Sequence, residues 1–415
     1  MTKGGWLTRN VFFMGLTSLL SDAGHEMATA ILPFFLTLEL GAGPGVLGLI
    51  EGASDGASSL TKSFAGYLSD RSGKRKPLVN AGYLATGLLI PLMGVAKSWP
   101  QALVLRMGGW AGRGARGPPR DALLSESVRD EARGRAFGFH RAMDTIGATI
   151  GPAIALLLTG YLGYREIFFV SLVPGMAAFL IVSLLVKEAR RPPPEGRGTD
   201  GDAPTKPKGY LGAMKGLPRD FKLFLIGVGV FGLGNFANSL FALRAQEVLA
   251  PGMGREAASV AAVGLYTLLN FVYAASSLPL GALSDRIGKR AVLSFGYLLS
   301  AVTCLLTALL TDDMLFLLSV FFLAGVFTGA TDTVEGAAAA DLLPTEARGT
   351  GYGLLHTVNG VGDFVSSSLV GLLWTTVSAE VAFGYAAALS ALGGALLLLV
   401  MRPARSGRPK PDAGP

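Results

Sequence analysis

Gly66-Tyr67-Leu68-Ser69-Asp70-Arg71-Ser72-Gly73-Lys74-Arg75 returns later in the chain as Gly281-Ala282-Leu283-Ser284-Asp285-Arg286-Ile287-Gly288-Lys289-Arg290, an offset of 285 − 70 = 215 residues. Glu131-Ala132-Arg133-Gly134 returns as Glu346-Ala347-Arg348-Gly349 at the same offset, 348 − 133 = 215. Two separated segments that share one offset mark an internal duplication, and they fix the scale of the repeating unit. Each Gly-Asp-Arg-Gly turn closes one apolar stretch and precedes another, so the unit is a set of helices joined by short basic turns.

Around these turns the sequence is too apolar for a soluble domain: 50% of its 415 residues are hydrophobic and 16% are charged, with a mean hydropathy of +0.47, against about 25% charged residues in soluble domains. A membrane helix needs about 20 mainly apolar residues. Reading apolar runs against polar breaks predicts twelve spans near 10–38, 45–69, 78–97, 100–124, 136–161, 165–187, 220–248, 257–284, 291–311, 313–341, 348–374 and 379–401. The stretch over residues 190–219, with Arg191-Pro192-Pro193-Pro194 and Thr199-Asp200-Gly201-Asp202, has no apolar period and reads as a linker. This divides the chain into a six-helix bundle over 1–189, a linker over 190–219, a second bundle over 220–401 and a tail over 402–415. With both termini cytoplasmic, nearly all Lys and Arg fall on the cytoplasmic side, while Lys97, Arg165, Arg244 and Arg255 fall on the other. That is the positive-inside pattern of a multi-pass protein of a bacterial-type inner membrane. It also accounts for the formal charge of +7 without nucleic acid, the basic loops facing water and lipid headgroups. The single Cys304 excludes a disulfide framework and a cysteine-ligated cluster.

The doubled turn resembles the signature Gly-x-Leu-x-Asp-Arg-x-Gly-Arg/Lys-Arg/Lys of the major facilitator superfamily. Gly66, Leu68, Asp70, Arg71, Gly73, Lys74 and Arg75 match it, as do Gly281, Leu283, Asp285, Arg286, Gly288, Lys289 and Arg290. The resemblance covers the whole chain and implies an all-α integral membrane fold of twelve transmembrane helices in two pseudo-symmetric six-helix bundles. It further implies secondary active transport of a small solute by alternating access, with the site between the halves near the midplane and no need of an oligomer. In the turn, Asp70 is able to accept from helix N-terminal amides and a basic partner, a latch that would hold one conformation shut on the cytoplasmic side. Gly147-Ala148-Thr149-Ile150-Gly151-Pro152 is similar to the helix 5 motif of the drug:proton antiporter branch, which implies export. Small residues at that spacing also serve close helix packing, with Pro152 bending the helix. The helix 4 signature of that branch is matched loosely by Arg106 before Gly108, Gly109, Gly112 and Gly114.

Ionisable groups deep in membrane helices are functional candidates because each is costly to place there. Helix 1 carries Asp22, His25 and Glu26, and the i, i+4 spacing sets Asp22 and Glu26 on one face. Helix 2 carries Asp55 and Lys62 on a shared face, with Lys62 expected to have a carboxylate partner and Glu51 expected near the outer mouth. Arg106 lies in helix 4. In the second half the candidates for proton coupling or solute binding are Asn235, Asn238, Asn270, Asp332, Glu335, His356, Asn359 and Asp363. Arg113, Arg116, Arg120, Asp121, His140, Arg141 and Asp144 read as a gate network at the inner end. The expected coupling step is proton binding at Asp22 or Glu26, with Arg106 or Lys62 released or captured as the carboxylate changes charge. No other cofactor is implied.

Asp22, His25 and Glu26 could alternatively coordinate a divalent metal as a transported ion; no resident metal site is assigned. An aromatic cavity lining would suit an amphipathic compound, whereas a polar one would suit a nutrient, a siderophore or an ion. The chain has no P-loop, dinucleotide fingerprint or His-Glu-x-x-His motif, so it is not expected to be an enzyme.

Overall fold

A computed structural model describes residues 6–72, 74–129, 133–188, 216–344 and 348–400, leaving the side chains of residues 63, 67, 70, 71, 133, 134, 348–350 and 400 outside that description. Residues 190–215 of the expected linker, Gly73 of the first turn and the whole tail over 402–415 therefore lie outside the described residues, as do the side chains of Asp70 and Arg71.

Among the described residues the first half contains α1 (Arg9–Phe34), α2 (Pro44–Ser72), α3 (Lys76–Leu89), α4 (Trp99–Glu126), α5 (Arg133–Thr159) and α6 (Tyr164–Leu185). The second contains α7 (Arg219–Gly232), α8 (Ser239–Met253), α9 (Arg255–Ile287), α10 (Lys289–Ala308), α11 (Met314–Leu342), α12 (Arg348–Thr376) and α13 (Ala379–Val400). Seven of these segments are long and apolar enough to cross a membrane on composition alone. The others owe their lower hydropathy partly to buried charge and small residues. α2 carries Glu51, Asp55 and Lys62, and α4 carries Arg106, Arg113, Arg116 and Arg120.

The continuous helix expected over 220–248 is instead interrupted between α7 and α8, at Leu233-Gly234-Asn235-Phe236-Ala237-Asn238. Gly and Asn are poor helix formers, the Asn side chains competing for backbone groups. Irregular backbone at membrane depth needs partners inside the protein, and it has them. The Tyr385 hydroxyl donates to Leu233 O at 2.8 Å, and Ala237 N donates to Ser367 Oγ at 3.0 Å. At the other irregularity, α1 passes Pro33 and widens into a π turn over Phe35–Glu39.

Each half packs mainly within itself, α1 on α5 and α6, α2 on α4, α9 on α11, and α10 on α11 and α13. Two seams join the halves, α2 against α12 and α5 against α9. The α2–α12 seam is built on small residues, as membrane helix pairs require for close approach. Gly45 and Gly48 lie on Gly371 and Ser367, Gly52 lies on Phe364, and Gly360 lies on Ser59. In the α5–α9 seam Gly264 faces Leu156, near the same end of the molecule.

The apolar cores show where the halves part. One core spans both halves at the end where α1 finishes and α2 begins, and includes Phe34, Phe35, Phe236, Phe241, Trp374 and Phe383. At the opposite end, which bears Arg75, Lys76, Lys187, Lys289 and Arg290, there are two separate cores. One holds Val11, Met14, Val79, Leu123 and Val182 of the first half, the other Phe221, Phe224, Tyr297, Val334 and Leu397 of the second. The bundle is thus closed at one end and cleft at the basic end.

Candidate functional site

α1 brings Asp22, His25 and Glu26 to mid-bundle, where α4 meets it with a face spaced at Arg106, Trp110, Arg113 and Arg116. His25 Nδ1 lies 2.9 Å from Ser21 O and 3.2 Å from Asp22 Oδ1, while its Nε2 lies 3.2 Å from Glu26 Oε1. A carbonyl oxygen only accepts, so Nδ1 carries a hydrogen; the other ring nitrogen lies near a carboxyl oxygen of Glu26 without forming a hydrogen bond to it among the described residues. Arg116 Nη2 lies 3.6 Å from Asp22 Oδ1. Arg113 lies within electrostatic reach of Asp22, Glu26, Asp55 and Asp144. On α5, Asp144 accepts from Ser18 Oγ at 2.7 Å and pairs with Arg141 at 3.3 Å.

A second group lies beside it. Arg106 Nη2 pairs with Glu51 Oε2 at 2.7 Å and its Nη1 donates to Thr29 Oγ1 at 3.0 Å. Its guanidinium carbon sits 3.7 Å from the centre of the Trp110 ring, a cation–π contact. Trp110 Nε1 in turn donates to Asp55 Oδ1 at 3.0 Å. Two expectations are corrected here. Glu51 is not at a solvated mouth but is 3% exposed and ion-paired. Arg106 is held by Glu51 and Thr29 while remaining within electrostatic reach of Glu26, and Arg116 and Arg113 stand with it against the helix 1 acids, in this cluster rather than in a separate gate. Lys62 feels Asp55 and Asp363 electrostatically but, among the described residues, forms no ion pair within 4.0 Å.

In the second half, Glu335 accepts from Tyr297 Oη at 3.0 Å and from Asn359 Nδ2 at 2.5 Å. Tyr297 is stacked on Phe231 with ring centres 3.6 Å apart. Asn235, in the interruption between α7 and α8, approaches Asp363 Oδ1 at 3.5 Å, and Asp332 lies within electrostatic reach of Tyr273. Asn238 sits at the start of α8, His356 is exposed, and Asn270 spends its amide on Tyr266 O at 2.9 Å. The two halves meet at the site where Tyr266 Oη lies 3.4 Å from Glu26 Oε2. The 215-residue offset pairs Arg120 with Glu335 (335 − 120 = 215) and Asp144 with Asn359 (359 − 144 = 215). Equivalent positions of the two halves therefore differ in charge, Arg120 corresponding in sequence to Glu335 and Asp144 to Asn359.

The described parts of the doubled turn are anchored within their own halves. Arg75 donates to Ser69 Oγ at 2.7 Å and pairs with Glu126 at 3.2 Å, while Glu188 accepts from the Arg75 and Lys76 amides at 2.8 and 3.0 Å. Lys289 bridges Asp285 at 3.5 Å and Asp341 at 2.8 Å. Gly288 adopts φ +96°, a conformation open to glycine and costly for other residues. Gly66 packs toward Pro118, and Lys74 and Arg286 are exposed. Gly147 and Gly151 seat α5 directly on α1: a Cβ on them would fall 2.3 Å from Leu19 O and 2.6 Å from Ala23 O. The helix 5 motif thus positions the acids of α1 by close packing.

Glu51, Trp110, Arg113 and Arg116 are the members of this site that motif reading did not single out as coupling or binding residues. Their signal is helical phase: Glu51 and Asp55 are i, i+4, and Arg106, Trp110 and Arg113 are i, i+4, i+7. Among the described residues, no three His, Cys, Asp or Glu side chains converge as a metal site.

The sequence profile described as Major Facilitator Superfamily matches residues 14–250 and 224–414. An uncharacterized MFS-type transporter of Methanocaldococcus jannaschii is 34% identical over 396 residues, covering 95% of each chain. A multidrug resistance protein MdtG of Escherichia fergusonii is 29% identical over 194 residues, 44% of this chain and 46% of that one. Among solved structures, a bacterial homologue of the human lysosomal transporter Spinster superposes with a TM-score of 0.71 over 96% of both chains at 16% identity.

Proposed function

On the premise that this chain belongs to the Major Facilitator Superfamily and is a membrane transporter, we propose that it exports an amphipathic compound in exchange for protons, the proton binding at Asp22, His25 and Glu26. The observation that carries the proposal is the contact of 3.2 Å between His25 Nε2 and Glu26 Oε1, with Nδ1 already engaged by Ser21 O at 2.9 Å. A buried imidazole and carboxyl in that arrangement hold one proton more or one proton less at little geometric cost, which is the property a coupling site needs.

The site is also placed to report its charge to both halves. Glu26 touches Tyr266 of the second half, and Asp22 is faced by Arg116. Loss of the proton strengthens the pull of Arg113 and Arg116 on α1; gain of the proton releases it. The two bundles, 1–189 and 220–401, rock about this point, with 190–219 as their tether and 402–415 as a tail on the same side. The basic end is assigned to the cytoplasm on the positive-inside rule, in a cell membrane and as a monomer. Arg71, Lys74, Arg75, Asp285 and Arg286 then stand at the cytoplasmic gate. Aromatic residues at the meeting of the halves, Tyr266, Tyr273 and Phe241, with the acids Asp332, Glu335 and Asp363, favour an amphipathic solute. Export is supported by the Gly147–Gly151–Pro152 motif and by the partial similarity to a protein whose name denotes multidrug resistance.

The test is flux in proteoliposomes driven by a pH gradient, with tetraphenylphosphonium, a neutral amphiphile and divalent cations as separate probes. The expected result is organic solute flux against proton movement, reduced at least about 100-fold in Asp22→Asn and Glu26→Gln, the loss of roughly 2.7 kcal/mol of coupling. Full proton-driven flux in both variants, or flux of a divalent cation that ignores the pH gradient, would overturn it.

A further inference from the structure

We propose that a pocket at the non-basic end, walled by both halves, binds a small amphiphilic anion and holds that end closed while it is occupied. The pocket has a volume of about 490 Å³, within the range of small-molecule sites, which are mainly apolar with a few placed polar groups. Leu38 and Pro44 of the first half line it together with Leu243 and Trp374 of the second, and Glu247 and Arg255 bring charge to it. Two local features of the chain shape it. α1 widens into the π turn Phe35–Glu39, which carries Thr37 and Leu38 into the wall, and π turns within helices occur frequently at functional sites. α8 ends after Pro251, and Gly254 adopts φ +81°, a conformation open to glycine and costly for other residues. Arg255 follows at the start of α9, so the reversal of the chain sets it on the same pocket as Pro251.

Charge decides the class of occupant. Glu247 is engaged already, its carboxylate accepting from Arg244 Nη1 at 2.7 Å. Glu380, the second acid on that arginine at 3.2 Å, does not line the pocket. Arg255, by contrast, forms no ion pair within 4.0 Å among the described residues. The uncommitted charge of the pocket is therefore a guanidinium, which pairs with carboxylate or phosphate through charge-assisted hydrogen bonds. The apolar wall of Leu38, Leu243 and Trp374 receives the body of such a compound, and Arg255 its head.

Because both halves build the wall, parting them at this end removes part of the contact. A compound seated here binds the form closed at the non-basic end more tightly than the open form, and so shifts the population toward the closed one. By linkage it opposes any ligand that needs this end open. That consequence rests on the rocking of the bundles proposed above, whereas the binding itself does not. The pocket is also distinct from the acids of α1, since Leu38 lies about 24 Å along the helix from Asp22 at a rise of 1.5 Å per residue.

Two measurements on the full chain in nanodiscs test it, with three probes that share one body: 4-phenylbutyrate, 4-phenylbutylamine and 4-phenylbutanol. In equilibrium dialysis, 4-phenylbutyrate is expected to bind saturably and about tenfold more tightly than the amine or the alcohol, the effect of one hydrogen bond between charged groups. Arg255→Gln, at an exposed position, is expected to abolish the preference, and Ala250→Trp, which fills the pocket, to abolish the binding. Absence of saturable 4-phenylbutyrate binding, equal binding of the three probes, tighter binding of the amine, or full binding in Ala250→Trp would each overturn the proposal. The second measurement follows the distance between spin labels at Leu60→Cys and Leu278→Cys in a Cys304→Ser background at fixed pH. Saturating 4-phenylbutyrate is expected to shift the ratio of the two distance populations at least about threefold toward the form closed at the non-basic end, and to do so equally in Asp22→Asn/Glu26→Gln. Binding without a shift would overturn the closing role. A shift with 4-phenylbutyrate in a protein whose ratio ignores pH would refute the proton-coupled reading and leave this proposal standing.

Discussion

Gly48→Leu is expected to abolish transport and to hold the non-basic end of the molecule open, while leaving the protein folded in detergent. A Cβ at this position falls 2.1 Å from the carbonyl oxygen of Ser367, and one at Gly52 falls 2.7 Å from that of Phe364. The atoms met are backbone, so a side chain there is accommodated only if α2 withdraws from α12. Overpacking costs about 1–3 kcal/mol even where side chains yield, and a penalty of that size confined to the closed form shifts the ratio of the two states by about 5- to 160-fold. The check is accessibility of an introduced cysteine at Leu38 to a membrane-impermeant maleimide, with Gly160→Ala as the silent control, since nothing lies within 4 Å of the Gly160 position. Wild-type flux, or unchanged protection of residue 38, would contradict the role given to the α2–α12 seam.

Arg106→Gln is expected to destabilise the protein by about 3–5 kcal/mol, because it leaves Glu51 as an unpaired buried charge. Arg106 and Glu51 are 1% and 3% exposed, so water does not replace the lost partner. Glu51→Gln strands Arg106 in the same way, whereas the double variant Arg106→Met/Glu51→Leu, which removes both charges, recovers most of the loss. Thermal unfolding in detergent measures the series. Additive losses in the double variant would show that the two groups do not act as a pair.

The fold was legible because its determinants are local and repeated. The doubled Gly-Asp-Arg-Gly turn, the spacing of apolar runs and the side on which Lys and Arg accumulate are properties of short stretches. The acids of α1 were legible for a related reason: Asp22, His25 and Glu26 stand in an apolar run, where a charge is conspicuous. Partners were much less so. Arg106, Arg113 and Arg116 are all on α4, and sequence alone does not set the depth and rotation of α4 against α1 and α2; Gly114 on Ser58 and Thr61 fixes α4 against α2, while Gly82 on Gly112 sets it against α3. The same uncertainty misplaced Glu51 at the mouth. The interruption at Leu233–Asn238 was hidden because Phe236 and Ala237 keep the run apolar, while the groups that stabilise its free backbone, Tyr385 and Ser367, come from more than a hundred residues away.

The charge inversion between Arg120 and Glu335 shows how the duplicated halves came to differ. Equivalent helices keep the turn chemistry and the small-residue seams, which serve the motion common to both. The interior positions diverge: the first half concentrates arginine against carboxylates, the second keeps acids against Tyr and Asn. On the function proposed above, coupling by a proton would lie in the first half and contact with the solute on the second.

The central claim is that protonation at Asp22 and Glu26 sets which end of the molecule is open. The most direct measurement is the distance between spin labels at Leu60→Cys on α2 and Leu278→Cys on α9, both exposed, in a Cys304→Ser background as a function of pH. The account predicts two distance populations whose ratio titrates with pH in the wild-type sequence and becomes independent of pH in Asp22→Asn/Glu26→Gln. A ratio that ignores pH in the wild type, or that titrates identically in the double variant, would contradict it.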